Sequence, residues 1–332
     1  MILSVYYMKM ITNTIFNFNI ILKNMLRRIF MNSVNGQFLM SMLIIMLGYI
    51  CKRLNIVKEK DGEALARVVI NITLPCLIIT TFSTLKIEFS LLKLTLISFI
   101  YGISITVIGL YLFRNKKKKA KGVLLMLLPA FNIGLFAYPL VEAIWGHEGV
   151  KYFGMFDLGN SFIIFGLCYI IASYFSSEAE KVDVKETFSK VFKSIPLCTY
   201  IVVVFINVLG LQFPRIVTDF CSIISKANMP MSLLILGIYL SFSFDLNYFK
   251  DIASVLALRY IIGFTVGILF FIFSPFDKMV KYTLLIGFIL PIASAIIPFS
   301  VEFNYDQKLI GVLSNMTVLI SFLLVWVLVG II

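Results

Sequence analysis

From residue 37 onward the chain alternates between apolar blocks of roughly twenty residues and short breaks rich in charge or turn formers. Blocks of that length match the about 30 Å of hydrocarbon that a helix must cross. They fall at 37–52, 64–84, 91–113, 122–145, 150–175, 194–211, 218–242, 251–273, 280–301 and 308–331 and predict ten transmembrane helices. The fold class expected is therefore an all-α integral membrane protein. The longest polar stretch, Glu180 to Lys193, separates the fifth block from the sixth. It divides the chain into a first five-helix unit at 36–175, a linker at 176–193 and a second five-helix unit at 194–332.

Composition agrees with this pattern. The chain is 60% hydrophobic and 14% charged, against about half and about a quarter in soluble domains. The net charge of +12 would suit a nucleic-acid partner, but its densest run, Arg114 to Lys121, joins two apolar blocks. Such a run holds a loop in the cytoplasm against anionic headgroups, so membrane lipid is the expected partner and nucleic acid is not. Cys51, Cys76, Cys168, Cys198 and Cys221 form no C-x-x-C pair and read as small apolar side chains. The single histidine, His147, makes no zinc site alone, and there is no Walker sequence. No cofactor, metal site or catalytic residue is expected.

Loop charge sets the orientation. Lys52 to Lys60, Arg114 to Lys121 and Lys181 to Lys193 fall on one side, with Lys250 and Lys308. The other side carries the scattered Lys86, Lys93, Lys151, Arg215, Lys226, Lys278 and Lys281. The richer side is cytoplasmic, which places both termini outside the cell. Residues 1–35 carry four cations, no acid and loosely helical apolar spacing. They read as an interfacial helix, a poor signal sequence or an accessory extension ahead of a start at Met31.

The two halves look alike. Pro75 lies mid-block in the second span and Pro230 in the seventh; Pro129 and Pro139 interrupt the fourth span, and Pro291 and Pro298 the ninth. Because each half has an odd number of spans, the second sits upside down relative to the first, as in many secondary transporters. The fourth block, "LPAFNIGLFAYPLVEAIWG", is a poor membrane helix: proline removes a backbone donor and clashes with the preceding turn, and Gly134 loosens the chain further. Non-helical backbone at membrane depth survives only where protein or a water-filled cavity satisfies it. The matched prolines thus predict two broken helices meeting near the midplane, with half-helix N-termini suited to an anion.

Few ionisable residues lie within the spans, where each costs about 2.5–3.5 kcal/mol on insertion scales. Arg259 is placed to pair with a substrate carboxylate or with Asp157, or to snorkel to the cytoplasmic interface. Asp157 reads either as a protonation site or as a partner for neighbouring backbone, and Glu142 as solvated. Asn71, Asn132, Asn160 and Asn315 suit hydrogen bonding in a cavity or between helices. Gly263 and Gly267 form a G-x-x-x-G packing motif. The substrate-binding set expected is Asn132, Gly134, Pro139, Asp157, Asn160, Arg259, Pro291, Ser294 and Pro298.

The stretch "NIGLFAYPLVEAIWGHEGVKYFGMFDLGN", Asn132 to Asn160, resembles the auxin efflux carrier family of permeases: Asn, seven residues to Pro, a Gly-x-x-Gly turn, then Asp and Asn in the fifth span. "LPCLIITTF" and "MPMSLLILGIYL" resemble that family's second and seventh spans. The resemblance implies ten helices in two inverted repeats, with broken fourth and ninth helices crossing. Asn132 and Pro139 would lie on one side of the crossing and Pro291 and Pro298 on the other. It also implies dimerisation through the first, second, sixth and seventh helices. Ala137 stands where the family usually has glycine, and the long hydrophilic loop of plant auxin exporters is absent, which favours the bacterial malate or malonate branch.

The function expected is secondary transport of a small organic anion, a carboxylate, across the cell membrane, driven by the membrane potential or a proton. The alternatives are a sodium-coupled carrier of bile-acid-transporter-like crossover shape and, less well supported by the residues, a non-transport membrane sensor or intramembrane enzyme.

Overall fold

A computed structural model describes residues 34–83, 89–176, 194–240 and 248–331. Most of the N-terminal extension and of the 176–193 linker lies outside the described residues. The described chain is helical, with one isolated β-bridge and no strand. Its helices are α1 (Val34–Arg53), α2 (Glu59–Ser83), α3 (Phe89–Leu112), α4 (Lys118–Leu127), α5 (Ile133–Phe175), α6 (Ile195–Val208) and α7 (Arg215–Tyr239). They continue with α8 (Phe249–Phe273), α9 (Lys278–Gly287), α10 (Ile296–Glu302) and α11 (Gln307–Ile331). Of these, α2, α3, α5, α7, α8 and α11 are long and apolar enough to cross a membrane, and α6 is a shorter apolar helix. The chain is a multi-pass membrane protein.

Each apolar block of the sequence falls on one of these helices, with two informative exceptions. The fourth block comprises α4, a non-helical stretch at 128–132 and the first arm of α5; the ninth comprises α9, a stretch at 288–295 and α10. The fourth and fifth blocks also share one helix. In a straight helix Tyr138 and Asp157 would lie about 28 Å apart, yet the Tyr138 hydroxyl donates to the Asp157 carboxylate at 3.1 Å. The reversal occurs at Gly146, whose φ of 60° and ψ of −148° belong to a region kept almost entirely for glycine. It is the first glycine of the Gly-x-x-Gly turn.

Prolines accompany three further distortions, while the π turns at Ile163–Cys168 and Leu258–Ile262 have none nearby. Pro75 follows a wide π turn at Val69–Thr73, and Pro139 follows another at Ile133–Ala137. Proline crowds the carbonyl four residues back and supplies no donor, so the turn before it widens to i→i+5 bonding. In α7 the helix is interrupted at Lys226 and Ala227, just ahead of Pro230. Residue 134 lies inside the second π turn, and its φ is not positive.

Packing sorts the helices into two groups. In one, α7 packs on α1 and α2, and α6 packs on α2. A Cβ on Gly48 would lie 2.2 Å from the Leu234 carbonyl oxygen, and one on Gly237 would come still closer to that of Ile45, so the α1 and α7 backbones touch. Small residues permit such approach where lipid supplies no hydrophobic drive. In the other group α3 packs on α5, α8 on α9, α8 and α10 on α11, and α4 on the end of α5. Gly263 and Gly267 are buried, and a Cβ on Gly263 would meet the Phe288 carbonyl oxygen at 2.3 Å. The G-x-x-x-G motif therefore seats α8 against α9 and the second break. The groups meet chiefly where α1, α2 and α7 contact the α5 hairpin.

Exposed faces are apolar, including Leu43, Leu47, Ile100, Val107, Phe205, Ile272 and Val327. This arrangement suits a surface in contact with acyl chains. Loops expected on one side of the membrane also contact one another. Lys116 pairs with Asp251, Tyr248 bonds Asp306, and the Tyr305 hydroxyl donates to the Ala172 carbonyl.

Candidate functional site

A chain that leaves the helix inside a membrane frees backbone donors and acceptors, and each unpaired group costs several kcal/mol. The partners of those groups define the site. The two breaks cross and pair with each other as a short antiparallel bridge between Phe131 and Ile292. The Asn132 amide donates to the Pro291 carbonyl at 2.8 Å, and the Ala293 amide donates to the Ala130 carbonyl at 3.3 Å. The Asn132 side chain spans the crossing: its amide nitrogen donates to the Ser294 hydroxyl at 2.9 Å. Its carbonyl oxygen accepts from the Leu135 amide at 3.2 Å and so caps α5.

The second arm of α5 supports the first break. Asn160 accepts from the Phe131 amide and donates to the Phe131 carbonyl, both at 3.0 Å, and also donates to Asp157. Asp157 is buried and accepts further from the hydroxyls of Tyr138 and Tyr200. Asp157 thus stands one helical turn before Asn160 and is held by three neutral donors. The second break is supported by α11, where the Thr317 hydroxyl accepts from the Ile292 amide at 3.1 Å and that of Ser321 donates to the Ile289 carbonyl at 2.6 Å. Tyr260 of α8 ties these two hydroxyl residues together.

Arg259 lies between the breaks and is 1% exposed. Its Nη1 donates to the carbonyls of Leu127, Leu128 and Ala130, and its Nη2 to that of Leu290. The guanidinium also lies over the Phe131 ring, 4.9 Å from its centroid. Tyr101 stacks on Phe288 at 4.2 Å, and Phe156 packs against both Phe131 and Phe288, so aromatic rings wall the crossing.

The sequence-predicted residues converge to different degrees. Asn132, Pro291 and Ser294 meet at the crossing, Asn160 and Asp157 stand behind it, and Arg259 bridges both breaks. Gly134 and Pro139 sit in and just after the first turn of α5, and Pro298 lies within the seven-residue α10. The two half-helices after the breaks are unequal in length. The hydrogen bonds of Arg259 run to main-chain carbonyls, rather than to Asp157 or out toward the interface, because the breaks present more free acceptors than any side chain nearby. Glu142 differs from its expected solvation: one carboxyl oxygen is buried without a hydrogen-bond partner among the described residues. Asn315 bonds back to its own helix at Gly311, and Asn71 lies on an exposed face.

Tyr138, Tyr200, Thr317 and Ser321 were not anticipated. The signal available for the last two was their i, i+4 spacing on one face of an otherwise apolar helix. Tyr138 directly precedes Pro139 in the most distinctive stretch of the chain.

Comparison with known proteins places this geometry. A family model described as membrane transport protein matches residues 34–329. A transporter of Methanothermobacter thermautotrophicus is 27% identical over 227 residues, covering 67% of this chain and 73% of the relative. One of Methanocaldococcus jannaschii is 27% identical over 215 residues, covering 61% and 68%. Both are named only as uncharacterized transporters. With the match running from the first described helix almost to the end of the last, this chain belongs to the membrane transport proteins of the auxin efflux carrier family.

Proposed function

We propose that this transporter is a secondary carrier moving a small organic anion, a carboxylate, by alternating access at the crossing of its two broken helices. The observation that carries the reading is the reciprocal backbone pairing of 130–132 with 291–293, with Asn132 both capping α5 and reaching Ser294. Two interrupted helices meeting in protein rather than lipid are how secondary transporters build a midplane binding site. The start of α5 supplies a positive dipole end near Asn132 and Ser294, suited to a carboxylate. An exported monoanion would gain about 2.3 kcal/mol per 100 mV from an inside-negative potential.

The packing supports two inverted five-helix repeats. Exchanging the halves exchanges the α1–α7 contact with the α6–α2 contact, and the α3–α5 contact with the α8–α11 contact. Asp157 is the residue best placed to carry a coupled proton, since it reaches the first break through Asn160. Both termini are proposed to face outward, on loop charge.

The test is counterflow of labelled mono- and dicarboxylates into proteoliposomes, with wild type beside Asn132→Ala. Accumulation of at least one carboxylate by wild type, reduced tenfold or more in Asn132→Ala, is the expected result. No movement of any carboxylate under imposed potential, proton or sodium gradients would sink the reading. Movement that requires sodium would favour the sodium-coupled alternative.

A further inference from the structure

Arg259 is the buried cation of the crossing, yet no acidic side chain among the described residues forms an ion pair with it. Its four hydrogen bonds go to main-chain carbonyls, three where α4 ends and one just past the end of α9. Leu127 ends the ten-residue helix Lys118–Leu127 and Leu128 caps it, whereas Ala130 and Leu290 lie three residues past Lys118–Leu127 and Lys278–Gly287, within the breaks themselves. Each helix end carries about half a negative elementary charge. The α4 end therefore meets the guanidinium directly, and on the α9 side a carbonyl of the second break does. The planar fork is also the side chain able to bond several acceptors at once.

From this geometry we propose that Arg259 is a positioning residue: it joins the carbonyls of the first break, at and just past the end of α4, to that of Leu290 in the second, so that the two breaks move as one body. It does not touch substrate. The role rests on the crossing being the transport centre, as proposed above, but its structural content can be read without any substrate. Two arrangements of the crossing would then carry the same clamp, and rocking would occur between helix groups rather than between the breaks.

Lysine at this position keeps the charge but offers a compact ammonium in place of the fork; glutamine offers donors without charge. Hydrogen exchange of purified wild type, Arg259→Lys and Arg259→Gln would follow peptides covering 127–134 and 287–295. These contain the paired amides of Phe131, Asn132, Ile292 and Ala293. Peptides from α1 and α7 serve as the internal reference for folding. The expected result is exchange tenfold or more faster at both breaks in Arg259→Gln, an intermediate acceleration in Arg259→Lys, and an unchanged reference. Unchanged exchange at the breaks, or loosening of only one of them, overturns the proposal. If Arg259→Gln does not fold, Arg259→Lys with a protected reference decides by the same two criteria.

Carboxylate counterflow in Arg259→Lys separates the role from direct recognition. A fall in maximal rate with KM changed by less than threefold is expected. A KM rise above tenfold with normal exchange at both breaks makes Arg259 the counter-charge of the substrate and overturns the proposal. Should wild type move no carboxylate, the transport reading fails, while the exchange result still decides whether Arg259 joins the breaks.

Discussion

At the first break one amide side chain, Asn160, holds both the N–H and the C=O of the same residue, Phe131. At the second, two hydroxyls of α11 hold Ile292 and Ile289 separately. The first stretch is also shorter, 128–132 against 288–295, and is followed by a long arm rather than by seven-residue α10. By holding both groups of Phe131, one amide ties the two peptide units on either side of that residue, whereas each hydroxyl of α11 ties only one. The comparison teaches that reciprocal pairing does not imply equal stiffness: the first break is the anchor and the second the compliant partner, with Arg259 shared between them.

Removing the anchor is the strongest way to break this comparison. Asn160→Ala strips two bonds from Phe131 and a donor from Asp157, leaving buried polar groups unpaired at about 1–3 kcal/mol each. A loss near 3 kcal/mol is expected, read as a drop in melting temperature of the purified protein. A loss below that of Thr317→Val would reverse the order of the two breaks.

Thr317→Val keeps the shape of the side chain and removes the acceptor of the Ile292 amide. About 1–2 kcal/mol is expected, with faster exchange of that amide and little change at Phe131. Equal loosening of both breaks would show that they are not independently supported. Ser321→Ala should cost less, about 0.6 kcal/mol, the average for side-chain hydrogen bonds between membrane helices. The smallest effect belongs to Lys116→Met, which removes the ion pair with Asp251 at a partly exposed loop end and should shift stability by less than about 1 kcal/mol. A larger shift there would mean that the loops, not the crossing, hold the fold together.

Much of this architecture was legible in the chain, because membrane crossing imposes a strict length and hydrophobicity on each span. The interruption of the fourth and ninth spans was legible in their prolines, of which Pro129 and Pro291 stand in the breaks and Pro139 and Pro298 in the helices that follow. Asn132 and Asn160 stood out, with Asn71 and Asn315, as polar side chains without charge inside the spans. Thr317 and Ser321 did not, because their one signal, the i, i+4 spacing, is weak for hydroxyl residues that also bond back to their own helix. The destination of Arg259 was hidden for a different reason: its acceptors are main-chain carbonyls of two segments remote in sequence, and no residue type marks a free carbonyl.

The meeting of the two breaks is written in backbone, through Ala130, Asn132, Pro291 and Ala293. Peptide groups are the same whatever side chains they carry. Side chains that line the crossing without bonding its backbone can therefore be exchanged without disturbing the joint on which the two broken helices hang. Asn132 is the exception, since its side chain both caps the backbone of α5 and reaches Ser294, so a change there would disturb the joint itself.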